Sequence, residues 1–156
     1  MRGKNVLELG AGCGLTGLAC ACWGARNVTL TDLESVVSYS TALNVEANKT
    51  LALAVQCRAL DWCDANAWRA LTEMPEVIVA SDCVWLRELV PPFCNTLATL
   101  LGAREGCVAY AAQLERASQD SETFASTEYL LTCMRQLGLT VRLVHDGKTQ
   151  IFEVTR

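Results

Sequence analysis

The chain is short of the residues that build metal centres. It has a single histidine, His145, and none of its 9 cysteines forms a C-x-x-C pair. Zinc spacing is therefore missing, and no bound metal is expected. The cysteine count is odd, and most of these residues lie inside apolar segments, where a thiol acts as a small hydrophobe. A disulfide framework is not expected, and a reducing, cytoplasmic compartment is. No basic run stands out: 13 Lys and Arg stand against 17 Asp and Glu, a formal net charge of -4. The electrostatic footprint of a nucleic-acid partner is thus missing. No apolar run reaches the ~18 residues of a membrane span. The opening Met1-Arg2-Gly3-Lys4-Asn5 leads straight into strand residues, with too short an apolar stretch for a signal peptide. Disorder is excluded in turn by a 51% apolar composition. No internal repeat or second domain is visible, so residues 1–156 read as one domain.

What is present is concentrated in residues 5–32. Val6-Leu7-Glu8-Leu9 reads as a short buried strand. Gly10-Ala11-Gly12-Cys13-Gly14 follows as a glycine-rich turn, then an apolar helical stretch, then Val28-Thr29-Leu30-Thr31-Asp32. This is the first half of a nucleotide-binding α/β domain. The turn brings backbone N–H groups to the sheet edge, and a carboxylate ending the next strand can accept ribose hydroxyls. Glycine spacing leaves two readings open. Gly10-x-Gly12-x-Gly14 fits a methyltransferase, and Gly12-x-Gly14-x-x-Gly17 fits a dinucleotide site.

The rest of the chain moves that balance. A helix is expected at 15–23, facing inward through Leu15, Leu18, Ala19 and Cys22 and closed by Gly24. A second is expected at 33–49 with an inner stripe of Val36, Val37, Ser40, Leu43, Asn44 and Ala47, Asn44 being placed to hold a loop. Strand three falls at 51–60, with Ala54, Val55 and Cys57 as its core, and closes on Asp61-Trp62. A short helix at 64–73 precedes strand four, Val77-Ile78-Val79-Ala80-Ser81-Asp82. A long helix starts near Pro91. Strand five spans 107–111, a polar loop 113–119 and a last helix 121–137. The Asp146-Gly147 step then predicts a hairpin of strands six and seven. Five strands alternating with helices, closed by a hairpin, predict a Rossmann-like seven-stranded, mostly parallel sheet in a three-layer sandwich.

These residues resemble the seven-stranded, S-adenosylmethionine-dependent methyltransferases. Within them the chain is similar to the lysine methyltransferase family, often called nicotinamide N-methyltransferase-like. The resemblance rests on five stretches in order: residues 6–17, Leu30-Thr31-Asp32, Asn44-Val45-Glu46-Ala47-Asn48, Leu60-Asp61-Trp62 and Ser81-Asp82-Cys83-Val84. It implies S-adenosyl-L-methionine as cofactor and the lysine side chain of a protein as acceptor. By the same resemblance Glu8, Gly10, Ala11, Gly12 and Gly14 line the methionine side. Asp32, with Leu33 beside it, holds the ribose, and Asp61 and Trp62 lie near the adenine. Ser81 and Asp82 line the route to the methyl group, where Asp82 and Trp85 are the catalytic candidates.

The chain departs from the family pattern in two places. Trp85 stands where the family usually has tyrosine; it keeps an aromatic face for a lysine stem or ammonium and lacks the phenolic oxygen. The resemblance also implies a segment before strand one, which residues 1–5 do not match, so a shortened form is the expectation. A shortened form would leave a sheet face for a partner or a second copy to cover. The competing expectations are a methyltransferase for a small amine or nucleic acid, and a non-catalytic binding module that keeps the fold. Glu115 and Arg116 are placed near the entrance, and His145 in a solvent-facing turn.

Overall fold

The computed structural model describes residues 1–50, 54–116 and 121–156. Seven strands form one sheet in the order β3-β2-β1-β4-β5-β7-β6. They are β1 (Asn5–Leu9), β2 (Asn27–Asp32), β3 (Val55–Ala59), β4 (Val77–Ser81), β5 (Val108–Leu114), β6 (Thr140–His145) and β7 (Thr149–Thr155). The first five pair in parallel, whereas β7 runs antiparallel to both β5 and β6. The expected architecture is therefore present, hairpin included. Chain order reverses between β1 and β4, so a crevice opens outside their C-terminal ends.

β1 lies inside the sheet and is buried on both faces. Leu7 and Leu9 belong to the core beneath α4 (Val90–Ala103), while Val6 joins Val28 and Val79 on the α1 (Leu15–Cys22) side. α4 buries Val90, Phe93, Cys94, Leu97 and Leu100 almost completely. Each side chain of this size contributes roughly 1.5–3 kcal/mol on burial. Pro91 and Pro92 sit in the first turn of α4, where a missing N–H has no helical partner to lose. The C-terminal helix α5 (Thr127–Gln136) buries Leu130 and Met134 and is capped by Ser126 Oγ, which accepts from Tyr129 N at 3.2 Å.

Several local expectations are corrected. α1 turns Gly17 and Cys20 to the sheet, and Leu15 is 72% exposed. A Cβ on Gly17 would fall 2.7 Å from Glu8 Oε2 and 3.2 Å from Val28 Cγ1. Helix and sheet thus approach too closely for a leucine face. The second helical stretch is interrupted: α2 (Glu34–Val36) passes through a π-turn, Val37–Thr41, into α3 (Ala42–Ala47). The π-turn shifts the helical phase, so Thr41 is buried and Leu43 faces out. β3 is an edge strand, which leaves Val55 and Cys57 half-buried and Ala54 exposed; residues 51–53 of the expected strand lie outside the described residues. β5 runs three residues further than expected, and Gln113 is a buried strand residue whose Nε2 donates to Val84 O at 3.1 Å. α5 begins at Thr127, so 121–126 is loop, and Phe124 is exposed. The short helix expected at 64–73 is a single 3-10 turn, Ala67–Ala70. His145 ends β6 rather than standing in the turn.

The two sheet faces are unequally clothed. α1 packs on β1, β2 and β4. Beyond it, Val108, Tyr110, Ile151 and Glu153 are half-buried. There Tyr110 donates its hydroxyl to Glu153 Oε2 at 3.1 Å, and Arg142 pairs with Glu153 at 2.8 Å.

Candidate active site

The glycine turn is shaped by side chains that arrive from other elements. Asp32, at the end of β2, accepts from Gly12 N and from Leu33 N, both at 2.8 Å. Thr41 Oγ1 donates to Gly12 O at 2.7 Å, and Asn44 Nδ2 donates to Cys13 O at 2.9 Å. Carboxylate acceptors and hydroxyl and amide donors thus satisfy backbone groups that a tight turn leaves open. Thr31 adds a 2.6 Å bond from Oγ1 to Glu8 O, tying β2 to β1 just beneath the turn.

Gly10 lets the opposite wall come close. Its φ is 66°, and a Cβ there would meet Cys83 Cβ at 2.5 Å and the Trp62 ring at 3.2 Å. Trp62 stands edge-on to Phe93 with centroids 5.1 Å apart. Its Nε1 is buried with no hydrogen-bond partner among the described residues. A donor buried without a partner is costly, and a ligand acceptor in the cavity would satisfy it. Asp61 Oδ1 accepts from Cys63 N at 2.9 Å, which fixes the turn that carries Trp62. Burial pushes the Cys83 thiol up to about 12, so it stays protonated and works here as an apolar wall.

These walls enclose a cavity of about 680 Å³, a size typical of small-molecule sites. Gly10, Ala11, Gly12, Asp32, Leu33, Asp61, Trp62, Ser81, Asp82 and Trp85 all line it. No added Cβ on Gly12 would find an atom within 4 Å, so the backbone is bare towards open space. A bare glycine turn, a carboxylate at the end of β2, a flat indole with a free N–H and an apolar wall fit an adenosyl amino acid. Among the described residues no group of three His, Cys, Asp or Glu side chains is placed to hold a metal. Nor is any helix long and apolar enough to cross a membrane among them.

Residues 1–129 match the model of the lysine methyltransferase family. The chain belongs to that family. A calmodulin-lysine N-methyltransferase of Arabidopsis thaliana is 28% identical over 155 residues, 97% of this chain and 48% of the relative. Protein N-lysine methyltransferase METTL21A of Danio rerio is 39% identical over 102 residues, 64% of this chain and 45% of the relative. EEF1A lysine methyltransferase 3 of Mus musculus is 35% identical over 124 residues, 79% and 50% of the two chains. The chain spans about half the length of these curated relatives. Among solved structures, an O-methyltransferase family protein from Burkholderia thailandensis superposes with a TM-score of 0.77 at 14% identity, covering 99% of this chain and 51% of that one. Magnesium protoporphyrin IX methyltransferase from Synechocystis PCC 6803, solved with S-adenosylmethionine bound, gives 0.68 at 13% identity, covering 99% and 71%. At these identities the likeness is one of fold.

Two of the expected site residues in this lysine methyltransferase-family chain sit behind the cavity rather than in it. Gly14 is buried, with φ 81°, against Leu30. Glu8 is 2% exposed, and its Oε2 accepts from Gly17 N at 2.9 Å beneath α1. Burial raises its carboxyl to about 7, against the smaller opposing effects of hydrogen bonds from Gly17 and Thr16. Both residues shape the turn from below. Other residues at the site were missed, among them Val36, Leu60 and Cys63 of the cavity lining. Thr41 was hidden by the π-turn, and Cys83, Leu86 and Leu89 line the cavity through the path of the loop after β4. Asn44 does hold a loop, as its sequence position led one to expect.

At the other end of the cavity Asp82 follows β4. Its side chain is 33% exposed and bonded through both carboxylate oxygens to the Arg116 guanidinium. Arg116 holds the Asp82 carboxyl below the usual carboxylate range, so it is ionised at neutral pH. Trp85, 49% exposed, stands at the mouth three residues on. Its O accepts from Ala125 N at 3.0 Å, and Leu86 bridges Phe124, so the 121–125 segment frames the same opening.

Proposed function

We propose that this chain is an S-adenosylmethionine-dependent methyltransferase acting on the lysine side chain of a protein. The observation that carries the reading is one cavity that joins the glycine turn and Asp32 to Asp82 and Trp85. The family model and the lysine-modifying relatives support it. In this reading Gly10, Ala11 and Gly12 face the amino-acid tail, Asp32 with Leu33 faces the ribose, and Asp61 and Trp62 face the base. Trp62 Nε1, buried without a partner among the described residues, would donate to a ring nitrogen of the base. When bound, S-adenosylmethionine supplies a methyl group already made electrophilic by its sulfonium, so no metal is required.

The chain's own residues then have positioning to do. Trp85 offers a flat face for the alkyl stem and cation of the acceptor. Ser81 and Asp82, at the end of β4, orient the amine towards the cavity floor. Removing water around Trp85, Leu86 and Leu89 lowers the amine's pKa, whereas the Asp82 charge opposes that shift. Asp82 is therefore an orienting group first and a proton acceptor second. The nine thiols among the described residues are all unpaired, which fits a reducing, cytoplasmic setting.

The test is methyl transfer from radiolabelled S-adenosylmethionine into an extract of the source cells, followed by mapping of the labelled site. Label on a protein lysine is the expected result. Label confined to small molecules or RNA would reject the acceptor assignment.

A further inference from the structure

The carboxylate in the acceptor half of the cavity is already engaged. Among the described residues Asp82 is the one non-glycine with positive φ, at 56°. That left-handed backbone is uncommon, though asparagine and aspartate adopt it more readily than most residues. It is held by Asp82 N donating to Ala112 O at 2.8 Å and by Leu114 N donating to Oδ1 at 3.4 Å. Arg116, two residues beyond β5, approaches the same carboxylate and takes both oxygens. Its own position is set locally. Arg116 N donates to Glu115 Oε1 at 3.1 Å, and Glu115 Oε2 accepts from Thr127 N at 3.0 Å at the start of α5. Asp82 lines the cavity, whereas Arg116 is not among the lining residues. An acceptor cation arriving through the cavity thus meets a carboxylate whose charge is matched from outside.

We propose that Arg116 sets acceptor specificity by competing with the acceptor's ammonium for Asp82. This rests on the lysine-methyltransferase reading and narrows it. A free small amine must break a bidentate pair with nothing else to gain. A lysine presented by a folded protein brings surface contacts that offset the exchange. The Asp82–Arg116 pair therefore disfavours small amines and admits macromolecular acceptors. Arg116 is a positioning residue, acting through Asp82.

The experiment is an NMR titration of the full chain, saturated with S-adenosylhomocysteine, using butylammonium as the probe of a lysine side chain. Arg116→Gln is expected to bind the probe about fivefold more tightly than the wild type, the scale of a half-exposed ion pair. Arg116→Lys keeps the charge through a single contact and should lie between the two. The gain should vanish in Asp82→Asn/Arg116→Gln, and 1-butanol should bind all four proteins alike. Either single Arg116 variant binding butylammonium no more tightly than the wild type, with Tm and S-adenosylhomocysteine affinity intact, would overturn the proposal. A wild-type chain that fails to bind S-adenosylhomocysteine would instead overturn the functional reading, and this inference with it.

Discussion

The two halves of the crevice are built differently. On the β1–β2 side the turn is pinned by Asp32, Thr41 and Asn44, each bonded to backbone. On the β4–β5 side stand a partly exposed ion pair, Asp82 with Arg116, and the exposed ring of Trp85. Backbone held by several side-chain bonds at once does not rearrange cheaply, whereas an exposed ion pair exchanges partners for little free energy. The first half suits a ligand that is the same in every turnover. The second suits an acceptor that arrives with its own surface.

The comparison can be broken most severely at the base of the first half. Gly17→Ala would push a methyl into Leu30, Glu8 and Val28, and should destabilise the chain by about 3 kcal/mol. Urea unfolding measures it; a change under 1 kcal/mol would mean that the α1–sheet contact is loose. Glu8 comes next. Its folded carboxyl is raised to about 7 from the usual 4.5, so the folded state holds a proton that the unfolded state has released. Its stabilising contribution is full below the unfolded value and is lost as pH rises through about 7, on the order of 3 kcal/mol at most. Glu8→Gln should remove that slope, so the difference between wild-type and variant unfolding curves should grow from pH 4.5 to 8. Parallel curves would show that Glu8 does not titrate in this window.

The second half should respond in turnover instead. Trp85→Ala is expected to lower kcat/KM for the acceptor about tenfold, the scale of a lost cation–π contact and stem packing, and to leave S-adenosylhomocysteine affinity unchanged. Equal losses in both measurements would merge the two halves into one. The smallest effect belongs to Leu43→Ser, expected within about 0.5 kcal/mol because the π-turn carries Leu43 outward. A larger loss would place Leu43 back in the core and remove the phase shift.

Much of the β1–β2 half of the cavity lining was legible because its signals are local. Gly10 directly follows a strand, Asp32 ends the next, and Asp61-Trp62 closes the third, so short stretches name both element and position. The mostly parallel sheet with its closing hairpin also followed, from alternating strand and helix patterns plus one turn cue. What escaped depended on contacts across the fold. Gly17 faces the sheet because Leu30 and Glu8 approach it, which no helical periodicity displays. Thr41 turns inward through a π-turn with no marker in its residues. Gln113 looked like loop and is buried strand because β7 extends the pairing of β5 to Leu114. Arg116 stood near the entrance in the sequence reading, but its hold on Asp82, 34 residues away, depends on β4 and β5 lying side by side.

The decisive measurement is a calorimetric titration of the wild-type chain and Asp32→Ala with S-adenosylhomocysteine. Removing the carboxylate frees Gly12 N and Leu33 N and takes away the proposed ribose acceptor, so affinity should fall about a hundredfold. Tight binding by the wild type and that loss in the variant are the predicted result. An Asp32→Ala protein that stays folded and binds as tightly as the wild type would contradict the account.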